Sequence, residues 1–74
     1  MEVNVKLFGD FREGRFKQDK TQLQDNSRVI DVINQYDLPV DEVAVCLVNS
    51  RQAEFEDVLQ NGDTVAFSPP VGGM

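Results

Sequence analysis

The sequence contains no histidine and no tryptophan, and its 74 residues include a single cysteine, Cys46. Without histidine, the chain lacks the usual general base at neutral pH and the commonest metal ligand. One cysteine cannot form an internal disulfide and offers no second thiolate to a zinc ion. Cys46 lies within an apolar run, so we expect a small buried side chain rather than a nucleophile. We therefore predict a chain that binds no metal and is not an enzyme through its own side chains.

Long apolar segments and an excess of positive charge are also missing. No apolar run is long enough to cross a bilayer, and the first residues lack the features of a secretory signal, so we expect a cytoplasmic protein. Thirteen acidic residues against seven basic ones give a net charge of -6. This charge disfavours nucleic acid and anionic membranes as partners. The neighbouring carboxylates Glu54 and Glu56, and likewise Asp41 and Glu42, are interpreted as surface charges.

The first third of the chain predicts two strands. Val3, Val5 and Leu7 alternate with more polar residues over residues 2–8, which is the period of a half-buried strand. Phe8 falls on the polar side of this strand. The polar stretch 15–24 is typical of a strand at the edge of a sheet.

One helix is predicted in the middle of the chain. Residues 25–27 (Asp-Asn-Ser) offer helix-capping side chains, and Pro39 prevents continuation, so the helix should end near Asp37. The apolar residues that share one face of this helix are Val29, Val32, Ile33 and Tyr36.

The remaining segments complete a mixed sheet. Residues 42–49 predict a strand that is apolar on both faces, and the Asn61-Gly62 turn precedes a last strand at 64–67. The element order favours an α+β fold, in which a mixed sheet of four to five strands carries one main helix on one face. The residues expected to form the core are Val3, Val5, Leu7, Val29, Val32, Ile33, Val45, Leu47, Leu59, Val65 and Phe67.

The end of the chain differs from the rest. We expect one domain at residues 1–68 and a flexible tail at 69–74, with the sequence Pro69-Pro70-Val71-Gly72-Gly73-Met74. The prolines stop further sheet pairing, and glycine lacks the Cβ atom that would restrict or widen the chain.

Residues 59–67 (Leu-Gln-Asn-Gly-Asp-Thr-Val-Ala-Phe) run into this Pro-Pro-Val-Gly-Gly tail. The combination resembles the MoaD and ThiS family of ubiquitin-like sulfur carriers, and within it the small subunits of molybdopterin synthase. The resemblance covers essentially the whole chain, and it implies a β-grasp fold. It also implies that the chain is a carrier or subunit protein rather than an enzyme.

The resemblance further implies a covalent role for the tail. Gly73 would be the acceptor, through its carboxylate, and Pro69, Pro70, Val71 and Gly72 would thread into a partner's site. An E1-like adenylating enzyme of the MoeB or ThiF type would activate the carboxylate with ATP and magnesium, and sulfur would then replace AMP. The resulting thiocarboxylate would serve the large subunit of molybdopterin synthase or another acceptor enzyme.

Two positions depart from the family pattern, and two alternatives stay open. Met74 follows the second glycine; it is either an extension that a processing protease removes, an added residue, or a sign of another route. Ser68 stands where an aromatic residue is common, and it forms with Phe8 and Ala66 the expected docking face on the open side of the sheet. The carrier could instead supply sulfur for the synthesis of cysteine or thiamine, or for the thiolation of tRNA. A non-covalent β-grasp interaction module with an inert tail is the alternative from another class.

Overall fold

The computed structural model describes residues 1–70, and these form a five-stranded mixed sheet with one α-helix. The strands are β1 (Glu2–Leu7), β2 (Gln18–Gln22), β3 (Val45–Val48), β4 (Arg51–Gln52) and β5 (Thr64–Ser68). The helix α1 spans Val29–Gln35, and short 3-10 turns occur at Gly9–Arg12 and Val40–Glu42. The predicted α+β fold is confirmed.

The sheet order is β2-β1-β5-β3-β4, with β1 and β5 parallel at the centre and the other pairs antiparallel. The polar strand β2 lies at one edge, as its sequence predicted. The Asn61-Gly62 turn directly precedes β5 and bonds to the start of β1; Gly62 in this turn has a φ of +89°. Asn61 Oδ1 accepts a hydrogen bond from Glu2 N at 2.8 Å, and Gly62 N donates to Glu2 O at 2.7 Å. This turn therefore fixes the register of β5 against β1.

The helix begins at Val29, but residues 25–27 do not cap it as predicted. Ser27 Oγ donates instead to Gln24 O in the preceding turn. The first amide groups of the helix donate to the backbone of a later loop: Val29 N to Asp57 O at 3.0 Å and Ile30 N to Phe55 O at 2.8 Å. Because tertiary contacts satisfy these otherwise unpaired groups, a capping side chain at 25–27 is not needed.

The helix ends close to the predicted position. Asp37 adopts a φ of +54°, and this left-handed residue turns the chain back so that Leu38 N donates to Ile33 O at 3.0 Å. Such a reversal is a common way to end a helix. It also buries Leu38, which is 5% exposed.

The core lies between α1 and one face of the sheet. Of the residues predicted to form it, nine are buried, as expected: Val3, Val5, Leu7, Val29, Val32, Ile33, Leu59, Val65 and Phe67. Phe11, Leu38 and Cys46 complete the cluster. Phe11 comes from the 3-10 turn that follows β1, where the sequence shows no strand or helix period.

The prediction that Val45 and Leu47 belong to the core is wrong. Val45 is 45% exposed and Leu47 is half-buried. In the register of β3 against β5, Cys46 is paired with Phe67 and therefore shares its core-facing side. Val45 and Leu47 are paired with Ser68 and Ala66 on the opposite side. In a strand that is apolar at every position, the sequence period cannot tell the two faces apart.

Candidate functional site

The face of the sheet opposite α1 carries an apolar area at the end from which the tail leaves. Pairing across the strands places Lys6, Ala66, Leu47 and Gln52 in one row. Ser68 and Val45 form the next row towards the tail. We call Phe8, Val45, Leu47, Ala66 and Ser68 the open-face patch.

Phe8 is 41% exposed, as expected for an aromatic residue on the polar side of β1. Its backbone is extended, with φ -125° and ψ 159°, and its N–H donates to Phe67 O at 3.1 Å. The alternation of β1 therefore continues beyond Leu7 and carries the ring to the open face. The guanidinium of Arg12 lies over this ring, with 5.2 Å from its central carbon to the ring centre.

Ala66 and Ser68 lie on the open face, where strand alternation placed them. Ala66 is only 9% exposed, and it does not belong to the core cluster beneath the helix. Its methyl group therefore adds little exposed surface to the patch, whereas Phe8 and Val45 are much more exposed. Ser68 is half-buried, and its Oγ donates to Pro69 O at 3.1 Å.

Val45 and Leu47 are members of the patch that sequence reasoning missed. Their exposure follows from the same register that buries Cys46. The sequence assigns Val65 and Phe67 of the last strand to the core, but this does not identify the outward face of β3. Pairing of Cys46 with Phe67 then follows only if the antiparallel register is known, and the sequence alone does not supply it.

The root of the tail is held on both sides. Ser68 O accepts a hydrogen bond from Ala44 N at 2.9 Å. Backbone pairing between β5 and the segment at β3 therefore reaches the last residue of β5. The ring of Pro69 lies against Gly9, at the start of the turn after β1. Pro70 is exposed. The predicted tail residues Val71, Gly72, Gly73 and Met74 lie outside the described residues.

Cys46 is buried, as predicted, with 6% of its surface exposed. Burial, followed by the negative charges of Asp57 and Glu54, raises the pKa of its thiol from 9.0 to about 11. The thiol is therefore protonated at neutral pH and makes a poor nucleophile. All four carboxylates predicted as surface charges are exposed: Asp41, Glu42, Glu54 and Glu56.

Neither a metal centre nor a membrane span is found in the described part of the chain. Among residues 1–70, no three His, Cys, Asp or Glu side chains are grouped so that they could hold a metal ion. No helix within that range is long and apolar enough to cross a membrane.

The strand order and the helix on one face of the sheet define a ubiquitin-like β-grasp protein. The chain belongs to the ThiS family, whose sequence model matches residues 5–73. No curated protein matches the chain. The family and the fold implied by the tail motif are thereby confirmed.

Solved structures resemble the chain over nearly its whole length. A proposed molybdopterin converting factor, subunit 1, from Pyrococcus furiosus has 26% identity and a TM-score of 0.77, with 96% of this chain and 99% of that chain covered. SAMP1 from Haloferax volcanii has 21% identity and a TM-score of 0.80, with both chains fully (100%) covered. A chain in the complex of subunits 1 and 2 of molybdopterin-converting factor from Helicobacter pylori has 21% identity, a TM-score of 0.68 and 100% coverage of both chains. The two similarities at 21% identity concern the fold alone.

Proposed function

We propose that this protein carries sulfur as a thiocarboxylate on Gly73 and delivers it for the synthesis of the molybdenum or tungsten cofactor. The observation that carries the proposal is the family match, which extends through the tail and ends at Gly73. Met74 lies beyond the match and would have to be removed before the glycine carboxylate is free. A processing protease is the partner that this step requires.

The chemistry proceeds in two substitutions, the first at the α-phosphorus of ATP and the second at the carbonyl carbon of Gly73. The Gly73 carboxylate attacks the α-phosphate of ATP, pyrophosphate leaves, and the product is an acyl adenylate. A sulfide equivalent from a donor then attacks the same carbonyl carbon and displaces AMP, which gives the thiocarboxylate. Carboxylates are poor electrophiles, whereas the mixed anhydride with AMP has a good leaving group.

A partner enzyme supplies every catalytic group for these steps. An E1-like adenylating enzyme of the MoeB or ThiF type would bind ATP as its substrate, together with magnesium. This division of labour is consistent with a carrier whose sequence lacks histidine. Positioning by the partner can replace a catalytic side chain on the carrier, because holding the reactants together removes much of the entropic cost.

The open-face patch is proposed as the docking surface for this enzyme and for the acceptor. Phe8 and Val45 are exposed at 41% and 45%, and they flank the point at which the tail leaves the sheet. From Ser68, an extended chain could carry the Gly73 carboxylate about 17 Å. A partner that covers the patch could therefore bind the tail in a narrow channel. Pro69, Pro70, Val71 and Gly72 would lie in this channel.

The molybdopterin branch is favoured over the other clients by the Pro-Pro-Val-Gly-Gly tail and by the 26% identity to the Pyrococcus furiosus protein. The proposed acceptor is the large subunit of molybdopterin synthase. The complex of subunits 1 and 2 from Helicobacter pylori offers a precedent for such a pairing in a protein of the same fold.

Intact-mass spectrometry of the protein isolated from its own cells tests the proposal. We expect a fraction of chains that lack Met74 and carry sulfur in place of one oxygen. An unmodified full-length chain would favour the non-covalent module with an inert tail. The client is tested by deleting the gene: loss of the molybdenum or tungsten cofactor supports the assignment, whereas loss of tRNA thiolation, thiamine or cysteine synthesis would redirect it.

A further inference from the structure

The turn that follows β1 touches the root of the tail at one point. Gly9 has a φ of +58°, and a Cβ atom at this position would lie 3.3 Å from Pro69 Cγ and 3.4 Å from Pro69 Cδ. The first distance is shorter than most contacts that a Cβ atom makes, and the second lies at the lower limit of ordinary van der Waals contact. A Cβ atom at residue 9 would therefore press against the ring of Pro69, and the ring would have to shift slightly.

Both sides of this contact are held by the sheet. On one side, Phe8 N donates to Phe67 O at 3.1 Å, so the backbone just before Gly9 is tied to the strand that leads into the tail. On the other side, Ser68 O accepts from Ala44 N, and Ser68 Oγ donates to Pro69 O. Because the residues next to Gly9 and Pro69 are held in the sheet by these bonds, we expect a new methyl group at residue 9 to be accommodated by a shift of the proline ring.

From this geometry, we infer that Gly9 is a positioning residue that sets the direction in which the tail leaves the sheet. Proline fixes its own φ near -65°, so the orientation of its ring also determines where the following residues are directed. A displaced ring would therefore direct Pro70 away from a partner bound at the open-face patch. The consequence for activation rests on the proposed function, whereas the contact itself does not.

The chain contains a matched control for the substitution. Gly14 has a φ of +71°, similar to that of Gly9, and a Cβ atom there would meet nothing within 4 Å. Alanine at either position is strained by the left-handed backbone. A loss of stability is therefore common to Gly9→Ala and Gly14→Ala, and only Gly9→Ala places a methyl group against Pro69.

The experiment compares these variants in chains that end at Gly73, with ATP–pyrophosphate exchange by the cognate activating enzyme as the readout. For Gly9→Ala we expect kcat to fall roughly tenfold with KM nearly unchanged, since misplacement by about 1 Å can cost up to a hundredfold. Gly14→Ala should match the wild type within about twofold. In a Pro69→Ala background, Gly9→Ala should have no further effect, because the ring it would displace is gone. Equal kcat values for Gly9→Ala and Gly14→Ala, or the same effect of Gly9→Ala in the Pro69→Ala background, would overturn the inference.

Nuclear magnetic resonance provides a readout that does not depend on activation. We expect nuclear Overhauser effects between the Gly9 Hα protons and the ring protons of Pro69 in the wild type. Gly9→Ala should shift the amide resonances of residues 71–73, and Gly14→Ala should leave them in place. Unchanged tail resonances in Gly9→Ala would contradict the inference. Absence of exchange in the wild type, combined with the expected shifts, would instead reject the proposed function and keep the positioning role.

Discussion

The Arg12 guanidinium lies above the ring of Phe8, with 5.2 Å between its central carbon and the ring centre, and its Nε donates to Leu7 O at 2.6 Å. The hydrogen bond anchors the arginine to the end of β1, and the cation lies against an aromatic ring that is 41% exposed. An arginine held over an aromatic ring stabilises the position of that ring. Arg12 thus orients Phe8, the aromatic side chain of the open-face patch.

Replacing Phe8 with alanine should weaken partner binding without unfolding the protein. Buried aromatic residues dominate many interfaces, so we expect the Kd for the activating enzyme or the acceptor subunit to rise about tenfold. The melting temperature should change little, because the ring is outside the core. Calorimetric titration and thermal unfolding measure the two quantities. A large fall in melting temperature with normal binding would show that Phe8 is a core residue instead.

Arg12→Ala should weaken the same binding by a smaller factor, because Phe8 stays in place but loses its cation. In the Phe8→Ala background, Arg12→Ala should have little further effect. Additive effects of the two substitutions would mean that Arg12 contacts the partner independently of Phe8.

Two valines on neighbouring strands test which faces of the sheet are covered. Val65 is fully buried and Val45 is 45% exposed, so the same change to alanine has different consequences. Val65→Ala should lower the free energy of unfolding by about 2 to 3 kcal/mol through lost burial and a cavity. Val45→Ala should change it by less than about 0.5 kcal/mol and weaken partner binding. Urea unfolding measures both, and similar losses of stability would contradict the register of β3.

The thiol of Cys46 should make stability depend on pH in the alkaline range. Its pKa is raised from 9.0 to about 11 by burial and by the carboxylates of Asp57 and Glu54. Below pH 9 the thiol is protonated in both states. Between the two pKa values it ionises only in the unfolded chain, so the free energy of unfolding should fall as the pH rises, by at most about 1.4 kcal/mol per pH unit.

Cys46→Ala is the control for this effect, because other groups also titrate in alkali. Urea unfolding of both proteins between pH 8 and about 11 isolates the contribution of the thiol. The difference in stability between wild type and variant should shrink as the pH rises. A constant difference would mean that the thiol ionises equally easily in both states.

Much of this fold could be predicted from local patterns. The alternation of Val3, Val5 and Leu7 and the helical spacing of Val29, Val32 and Ile33 identify core positions because only one face of each element is apolar. The strand at 45–48 is apolar throughout, and its core face is set by pairing of Cys46 with Phe67. That pairing joins residues far apart in sequence, so local periodicity could not reveal it.

In the candidate site, too, some residues could be identified from local sequence patterns and others could not. Phe8 could be identified as an exposed aromatic residue because it breaks the polar side of an otherwise alternating strand. Val45 and Leu47 could not, since their exposure depends on register. The capping of α1 by Phe55 O and Asp57 O and the contact of Gly9 with Pro69 likewise depend on segments that meet only in the folded chain.

We propose that the working group of this protein is the carboxylate of Gly73. An extra residue moves the free carboxylate by about 3.5 Å and adds a bulky side chain, so the full-length chain should not be activated. ATP–pyrophosphate exchange by the cognate activating enzyme measures this directly on chains that end at Gly73 or at Met74. Gly73→Ala in the shorter chain should retain the fold and lower the rate, because a methyl group meets the nucleotide site. We expect exchange with the chain ending at Gly73 and none with the chain ending at Met74. Equal exchange by both, or none by either, would show that the Gly73 carboxylate is not the working group.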